Sequence, residues 1–267
     1  MQDNVEYIDK GSIFHGSATG VMGTRLDLVL CGVDIVRGQK LWSGLLRIVS
    51  RMDKVFNRFD KASELSVLGR EAGMQGLGVS RDMTEALLLA EDYWDRTLGL
   101  FDVARGAMKE IEISETGALS LYGNHLDFGG FAKGFFARRA EKTIRAAGVG
   151  SAYLDFGGST ITAIGSHPYG DSWMVSLTDP YSGRVLDEIK LTDKTLSTSG
   201  NTASYCGHIV NPLTGEKNTR KMLVTVVAPD ALDAEVLSTV GMIADEAQIS
   251  EIRGNFSDVQ IKVYDLG

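Results

Sequence analysis

Hydrophobic positions change rhythm several times along the chain. Val21 to Cys31 alternates and is rich in Val and Leu, which predicts a strand opening on Met22-Gly23-Thr24. From Leu41 to Phe59 the apolar residues Leu41, Leu45, Ile48, Met52 and Val55 recur at three and four, the spacing of a helix face. A second helix is predicted from Ser80, a fitting N-cap, through Leu87, Leu88, Ala90 and Trp94 to Gly99 as C′ glycine. A third follows Gly130 with Phe136, Ala140, Ile144 and Ala147 and stops at Gly148. The texture then turns to strands at Ala152 to Phe156, Ser159 to Ile164, Trp173 to Thr178, Val185 to Leu191 and Leu223 to Ala228. A fourth helix, N-capped by Asp230, carries Leu237, Val240 and Ile243, and the chain closes on an alternating strand, Val259 to Tyr264. This succession predicts an α+β (mixed α/β) fold, with no Pro/Ser-rich linker to divide it and no internal repeat.

Composition narrows the function. The 267 residues hold 27 Lys+Arg against 35 Asp+Glu, a formal charge of −8, which argues against a partner bound through nucleic-acid phosphates. Glycine is abundant at 31 and proline scarce at 4, so turns, and close approaches of backbone to ligand, fall to glycine. No apolar run reaches the roughly 18 residues of a spanning helix. Met1 to Lys10 is polar and acidic, without the marks of a signal peptide, so the chain as written is expected in the cytoplasm, or exported if a leader precedes Met1. Two cysteines, Cys31 and Cys206, make neither a disulfide framework nor a four-ligand zinc site.

Four clusters carry possible chemistry. Leu126-Asp127-Phe128-Gly129-Gly130-Phe131-Ala132-Lys133-Gly134 places a glycine turn and a lysine at a helix start, and Asp155-Phe156-Gly157-Gly158 follows a strand. Neither fits the dinucleotide or P-loop fingerprints. The first has the same physical logic, since turn amides, a helix N-terminus and Lys133 all favour an anion, although its glycines can equally be plain turn residues. Leu196-Ser197-Thr198-Ser199-Gly200 precedes Gly207-His208-Ile209-Val210-Asn211-Pro212-Leu213-Thr214-Gly215, where His208 is either a turn residue or a catalyst. In Asp233-Ala234-Glu235-Val236-Leu237-Ser238-Thr239, Glu235 and Thr239 stand at i and i+4, an oxygen pair able to hold a hard cation or simply to face solvent.

The order of these motifs, with Phe59-Asp60-Lys61-Ala62-Ser63-Glu64-Leu65-Ser66 and Phe101-Asp102-Val103 between the first and the glycine pairs, resembles the ApbE family of FAD:protein FMN transferases. The resemblance runs from about residue 20 to 264. It implies a single domain over 21–267 behind an N-terminal extension at 1–20, with two packed lobes and an FAD cleft between them. It also implies protein flavinylation: with Mg²⁺, the FMN half of FAD passes to a Thr or Ser hydroxyl of an acceptor protein and AMP is released. Carried over by motif, Met22, Phe59, Phe101, Asp102, Val103, Asp127, Lys133 and Ile209 would contact FAD. The Gly130 carbonyl, Glu235 and Thr239 would hold the metal, and His208 would take the hydroxyl proton while Lys133 supports the pyrophosphate.

Two residues depart from the family pattern. Glu235 stands where the family usually has Asp, which moves the carboxylate by roughly 1.5 Å, and Asn211 stands where it commonly has Asp. These changes keep two alternatives in view, an FAD-binding or carrier protein with weak or no transfer, and an FAD pyrophosphatase that gives FMN and AMP with water in place of the acceptor.

Overall fold

The computed structural model describes residues 1–71, 76–113, 118–121 and 126–267. Its backbone is an eight-stranded antiparallel sheet. Along the chain its strands are β1 (Gln2–Ile8), β2 (Ile13–Val21), β3 (Thr24–Cys31), β7 (Ala152–Phe156), β8 (Thr160–Ile164), β11 (Lys194–Gly200), β12 (Met222–Ala228) and β13 (Gln260–Asp265), and they lie side by side in that order. A small sheet is built from β4 (Leu77–Gly78), β5 (Ile111–Ile113) and β6 (Ala118–Leu121), and β9 (Trp173–Thr178) pairs with β10 (Val185–Leu191) as a hairpin. The helices are α1 (Ile35–Phe56), α2 (Glu64–Arg70), α3 (Arg81–Arg96), α4 (Ala132–Ala146), α5 (Ala231–Gly241) and α6 (Glu246–Arg253). This is the mixed α+β fold expected from the sequence.

Layering follows from which strand faces are apolar. Helices α1, α4 and α5 bury their apolar stripes on one face of the sheet, and α3 packs against α1 and β5, in one core around Leu45, Met52, Leu87, Phe135, Ile144 and Leu237. On the other face, Trp173, Val175 and Leu191 of the β9–β10 hairpin cover Cys31, Ile161, Ala163, Leu196 and Val227. Strands β8 and β12 lie under both layers and are buried at every position, their apolar residues interrupted only by Thr160, Thr162 and Thr225, whereas β9 alternates strictly.

Helix starts have side-chain caps where the sequence offers them. Ser80 accepts from the Met83 amide at 3.2 Å, and Asp230 from Leu232 and Asp233 at 2.8 and 3.2 Å. Met22 and Gly23 form the β2–β3 turn, with φ of +46° and +78°, rather than the opening of a strand. Residues 1–20, expected as an extension, supply β1 and most of β2, and Phe14 and Ala18 of β2 are fully buried.

Candidate functional site

The glycine turn before α4 organises the site. Asp127 donates its backbone N–H to the Val103 carbonyl at 2.7 Å, which ties this turn to the Phe101–Val103 segment. Its carboxylate accepts from the Gly129 N–H at 2.9 Å through one oxygen, and through the other from Arg58 at 2.8 Å and Arg105 at 2.7 Å. Burial pushes the Asp127 carboxyl up, but the Arg105 hydrogen bond, the Arg58 charge and the Gly129 amide outweigh it and hold it below the ordinary aspartate range.

One helical turn on, Lys133 points at α5. Its ammonium donates to Glu235 Oε1 at 2.5 Å and to Thr160 Oγ1 at 3.1 Å. Glu235 is 3% exposed, and its second oxygen accepts from Thr160 at 2.5 Å and Ser197 at 3.0 Å. The helices approach this closely because residue 134 is glycine: a Cβ there would lie 2.6 Å from Glu235 Cβ and 2.8 Å from the Ala231 carbonyl oxygen.

A ladder of hydroxyls leads from Glu235 to Thr239. Ser197 meets Ser238 at 3.1 Å, Ser238 meets Ser199 at 2.9 Å, and Ser199 meets Thr239 at 3.5 Å. Gly130 sits against the end of this ladder, since a Cβ on it would fall 2.6 Å from Thr239 Oγ1. Gly130, Glu235 and Thr239 are therefore neighbours, and their donors are all oxygen, the chemistry a hard divalent cation prefers. The set holds a single carboxylate, and among the described residues no three His, Cys, Asp or Glu side chains converge on a point.

His208 lies beyond Asp127. Its ring stacks on Tyr205 with centroids 4.0 Å apart and planes at 24°, and the Tyr205 hydroxyl accepts from Arg58 at 3.3 Å. Partial burial lowers the His208 pKa, the Arg58 charge lowers it further, and Asp127 opposes both. The loop is pinned by Asn201, fully buried, which donates to the Asn218 and Arg220 carbonyls and accepts from the Gly207 amide. Asn211 caps its own turn by accepting from Leu213 at 2.9 Å.

The remaining expected residues divide by exposure. Phe59 is 83% exposed, with the Arg58 guanidinium 5.0 Å from its ring centre. Phe101, Val103 and Ile209 have buried side chains, and the Asp102 carboxylate is taken up by the amides of Ala104, Gly106 and Met108. The Met22–Thr24 turn adjoins the second glycine pair, because Thr24 Oγ1 lies 2.7 Å from where a Gly157 Cβ would be. Arg58, Arg105, Tyr205 and Thr160 were not singled out from the sequence. Ser197 and Ser199 had a legible signal, two hydroxyls at period two on one strand face. A hollow of about 930 Å³, lined by Arg220, Asp245, Arg253 and Phe256 among others, lies elsewhere.

Comparison with known proteins places the family and the fold. The ApbE family model matches residues 22–116 and 107–261. An FAD:protein FMN transferase of Rhodobacter capsulatus is 24% identical over 266 residues, covering 85% of this chain and 50% of that protein. The chain spans about half the length of the curated relatives it matches. Among solved structures, the flavin transferase ApbE from Vibrio cholerae superposes with a TM-score of 0.78 at 20% identity, covering 97% of this chain and 93% of that one. The ApbE protein from Thermotoga maritima gives 0.81 at 18%, covering 95% and 96%.

Proposed function

The chain belongs to the ApbE family, and from that premise we propose that it transfers the FMN half of FAD to a Thr or Ser hydroxyl of an acceptor protein and releases AMP. The observation that carries this reading is the gathering of Gly130, Lys133, Glu235 and Thr239 at the start of α4, with Asp127 linking them towards His208. In the reaction the hydroxyl oxygen bonds to the FMN phosphorus as the bond from that phosphorus to the AMP phosphate oxygen breaks. AMP leaves with the electron pair, and the imidazole of His208 takes the hydroxyl proton, for which it must be neutral.

The lowered pKa of His208 supports that role at neutral pH. Lys133 supplies positive charge to the pyrophosphate, and the N–H groups that open α4 add to it. Met22 and Phe59 offer accessible side chains to the flavin or adenine ring, whereas Phe101, Val103 and Ile209, buried by side chain, contribute backbone. Asp127 holds Arg58 and Arg105 in place. Bound Mg²⁺ would neutralise the charge on the phosphates, and Glu235, Thr239 and the Gly130 carbonyl are the residues that would hold it.

A second reading is favoured by one contact. Both Glu235 oxygens are bonded to Lys133, Thr160 and Ser197, so a metal competes with an internal ammonium, which suits an FAD-holding protein with slow transfer. Incubation with FAD, Mg²⁺ and an acceptor carrying Thr in a Gly/Ala-rich segment separates the readings by intact mass and nucleotide analysis. The transferase gives an FMN adduct with one AMP per adduct, and a pyrophosphatase gives AMP with free FMN. Neither product at saturating Mg²⁺ removes both enzymatic readings.

A further inference from the structure

His208 sits on a loop that reaches solvent, yet its ring is packed against Tyr205. Tyr205 lies face to face with it at 4.0 Å, close enough for ring-to-ring packing. The Tyr205 hydroxyl is held by Arg58, and the same guanidinium is ion-paired with Asp127 at 2.8 Å. Arg58 stands just past the end of α1, Asp127 just before α4, and Tyr205 in the loop after β11, so three separate segments meet at one side chain. Arg105 adds a second guanidinium to the same Asp127 oxygen at 2.7 Å.

We propose that Tyr205 and Arg58 are positioning residues for His208: the tyrosine ring sets the plane of the imidazole, and Arg58 locks that ring to Asp127 and so to the glycine turn that opens α4. The inference rests on the reading of His208 as the group that takes the acceptor's proton.

Charge gives the frame a second effect. Among the described residues, the charged groups acting on the imidazole are Arg58 and Asp127, and Tyr205 is the titratable group against its face. A cation disfavours a second positive charge nearby, whereas Asp127 favours one. With Arg58 in place the imidazole stays neutral to lower pH, the form able to accept a proton. With Arg58 gone, Asp127 acts on the ring with less opposition. Tyr205 is 52% exposed and the Arg58 side chain 39%, so both can be replaced without opening the core.

The test is proton NMR of the FAD-free chain, with His208 assigned among the four histidines by His208→Gln. Arg58→Gln, Tyr205→Phe and Tyr205→Ala are then compared with the wild type. In the wild type the His208 ring protons should be displaced by the tyrosine ring current. Tyr205→Phe should keep that displacement, and Tyr205→Ala should lose it. Arg58→Gln should move the His208 titration to higher pH, and the acid limb of kcat/KM for FMN transfer should move with it. Identical His208 shifts and titration in all four proteins would overturn the proposal. Transfer by the wild type whose pH profile is unmoved by Arg58→Gln and Tyr205→Ala would overturn it too, while leaving the transferase reading standing. The expected NMR changes without any transfer would instead remove the transferase reading and leave the frame in place.

Discussion

Glu235 is the residue on which the metal question turns, because it is buried and its nearest cation is a lysine 2.5 Å away. Removing the ammonium while keeping the bulk, as in Lys133→Met, leaves an uncompensated carboxylate among hydroxyls. Such a loss typically costs roughly 3–5 kcal/mol, with the lower end expected here because the Lys133 side chain is 25% exposed. The same vacancy favours a divalent cation. Mg²⁺ should therefore bind Lys133→Met more tightly than the wild type in the absence of FAD, by calorimetry, and should restore much of the lost urea resistance. Equal Mg²⁺ affinity in both proteins would take Glu235 out of the metal set. FAD binding should move the opposite way and weaken.

Asp127 allows a signed pH argument. Its carboxyl is held below its ordinary value, so it contributes stability that is fully present above the unfolded-state pKa of about 3.9 and is lost as pH falls through the folded value. Asp127→Asn should lower stability at pH 7 and flatten its fall as pH drops below about 4, measured by urea unfolding. Asp127, Lys133, His208, Glu235 and Thr239 were legible in the sequence because each stands inside a short motif. Arg58, Arg105 and Tyr205 were not, since their meaning arises only when segments 69 and 147 residues apart are folded together, and no period or spacing encodes that.

Among elements, the long amphipathic helices were legible because their apolar positions follow one period over many residues, and the buried central strands because short runs rich in Val, Ile and Leu stand between turn signals. The misses share a cause. Strand β11 is written Lys-Thr-Leu-Ser-Thr-Ser-Gly, and its hydroxyls serve the site rather than an apolar core; α2 and α6 are too short, at 7 and 8 residues, to display a period.

The crossing of α4 over α5 carries its own test. In Gly134→Ala, helix propensity gains up to about 1 kcal/mol, but a methyl 2.6 Å from Glu235 Cβ and 2.8 Å from a backbone oxygen forces the helices apart at a typical cost of 1–3 kcal/mol. Net destabilisation and weaker FAD binding are expected. Gly44→Ala, in α1 with only the tip of Arg47 within 4 Å, should instead stabilise by about 0.5–1 kcal/mol. Denaturant midpoints that shift in the same direction for both would show that the α4–α5 approach is looser than described.

At the scale of the molecule, the question is what residues 1–20 do, since the family match begins at residue 22. The resemblance to the family implies that they are an extension. In the fold, β2 stands between β1 and β3, with Phe14 fully buried and α1 lying directly on it. Two glycines permit that contact: a Cβ on Gly38 would lie 2.3 Å from the Phe14 ring, and one on Gly16 would lie 2.6 Å from Trp42. Deleting residues 1–20 would bare the edge of β3 and the inner face of α1 together. Loss of the Phe14 side chain alone corresponds to about 3–5 kcal/mol, against a total of roughly 5–15 kcal/mol for an ordinary domain. A chain beginning at Val21 should therefore lose cooperative urea unfolding. Removing only residues 1–9 should be tolerated better, because β1 is an edge strand held mainly by its pairing with β2, partial burial of Val5 and Tyr7, and the Tyr7 hydroxyl on the Val33 carbonyl. Circular dichroism through a urea series on both truncations distinguishes a structural strand from an extension. A wild-type midpoint for the chain from Val21 would mean that α1 and β3 close the core without β2, which the seating of Phe14 against Gly38 argues against.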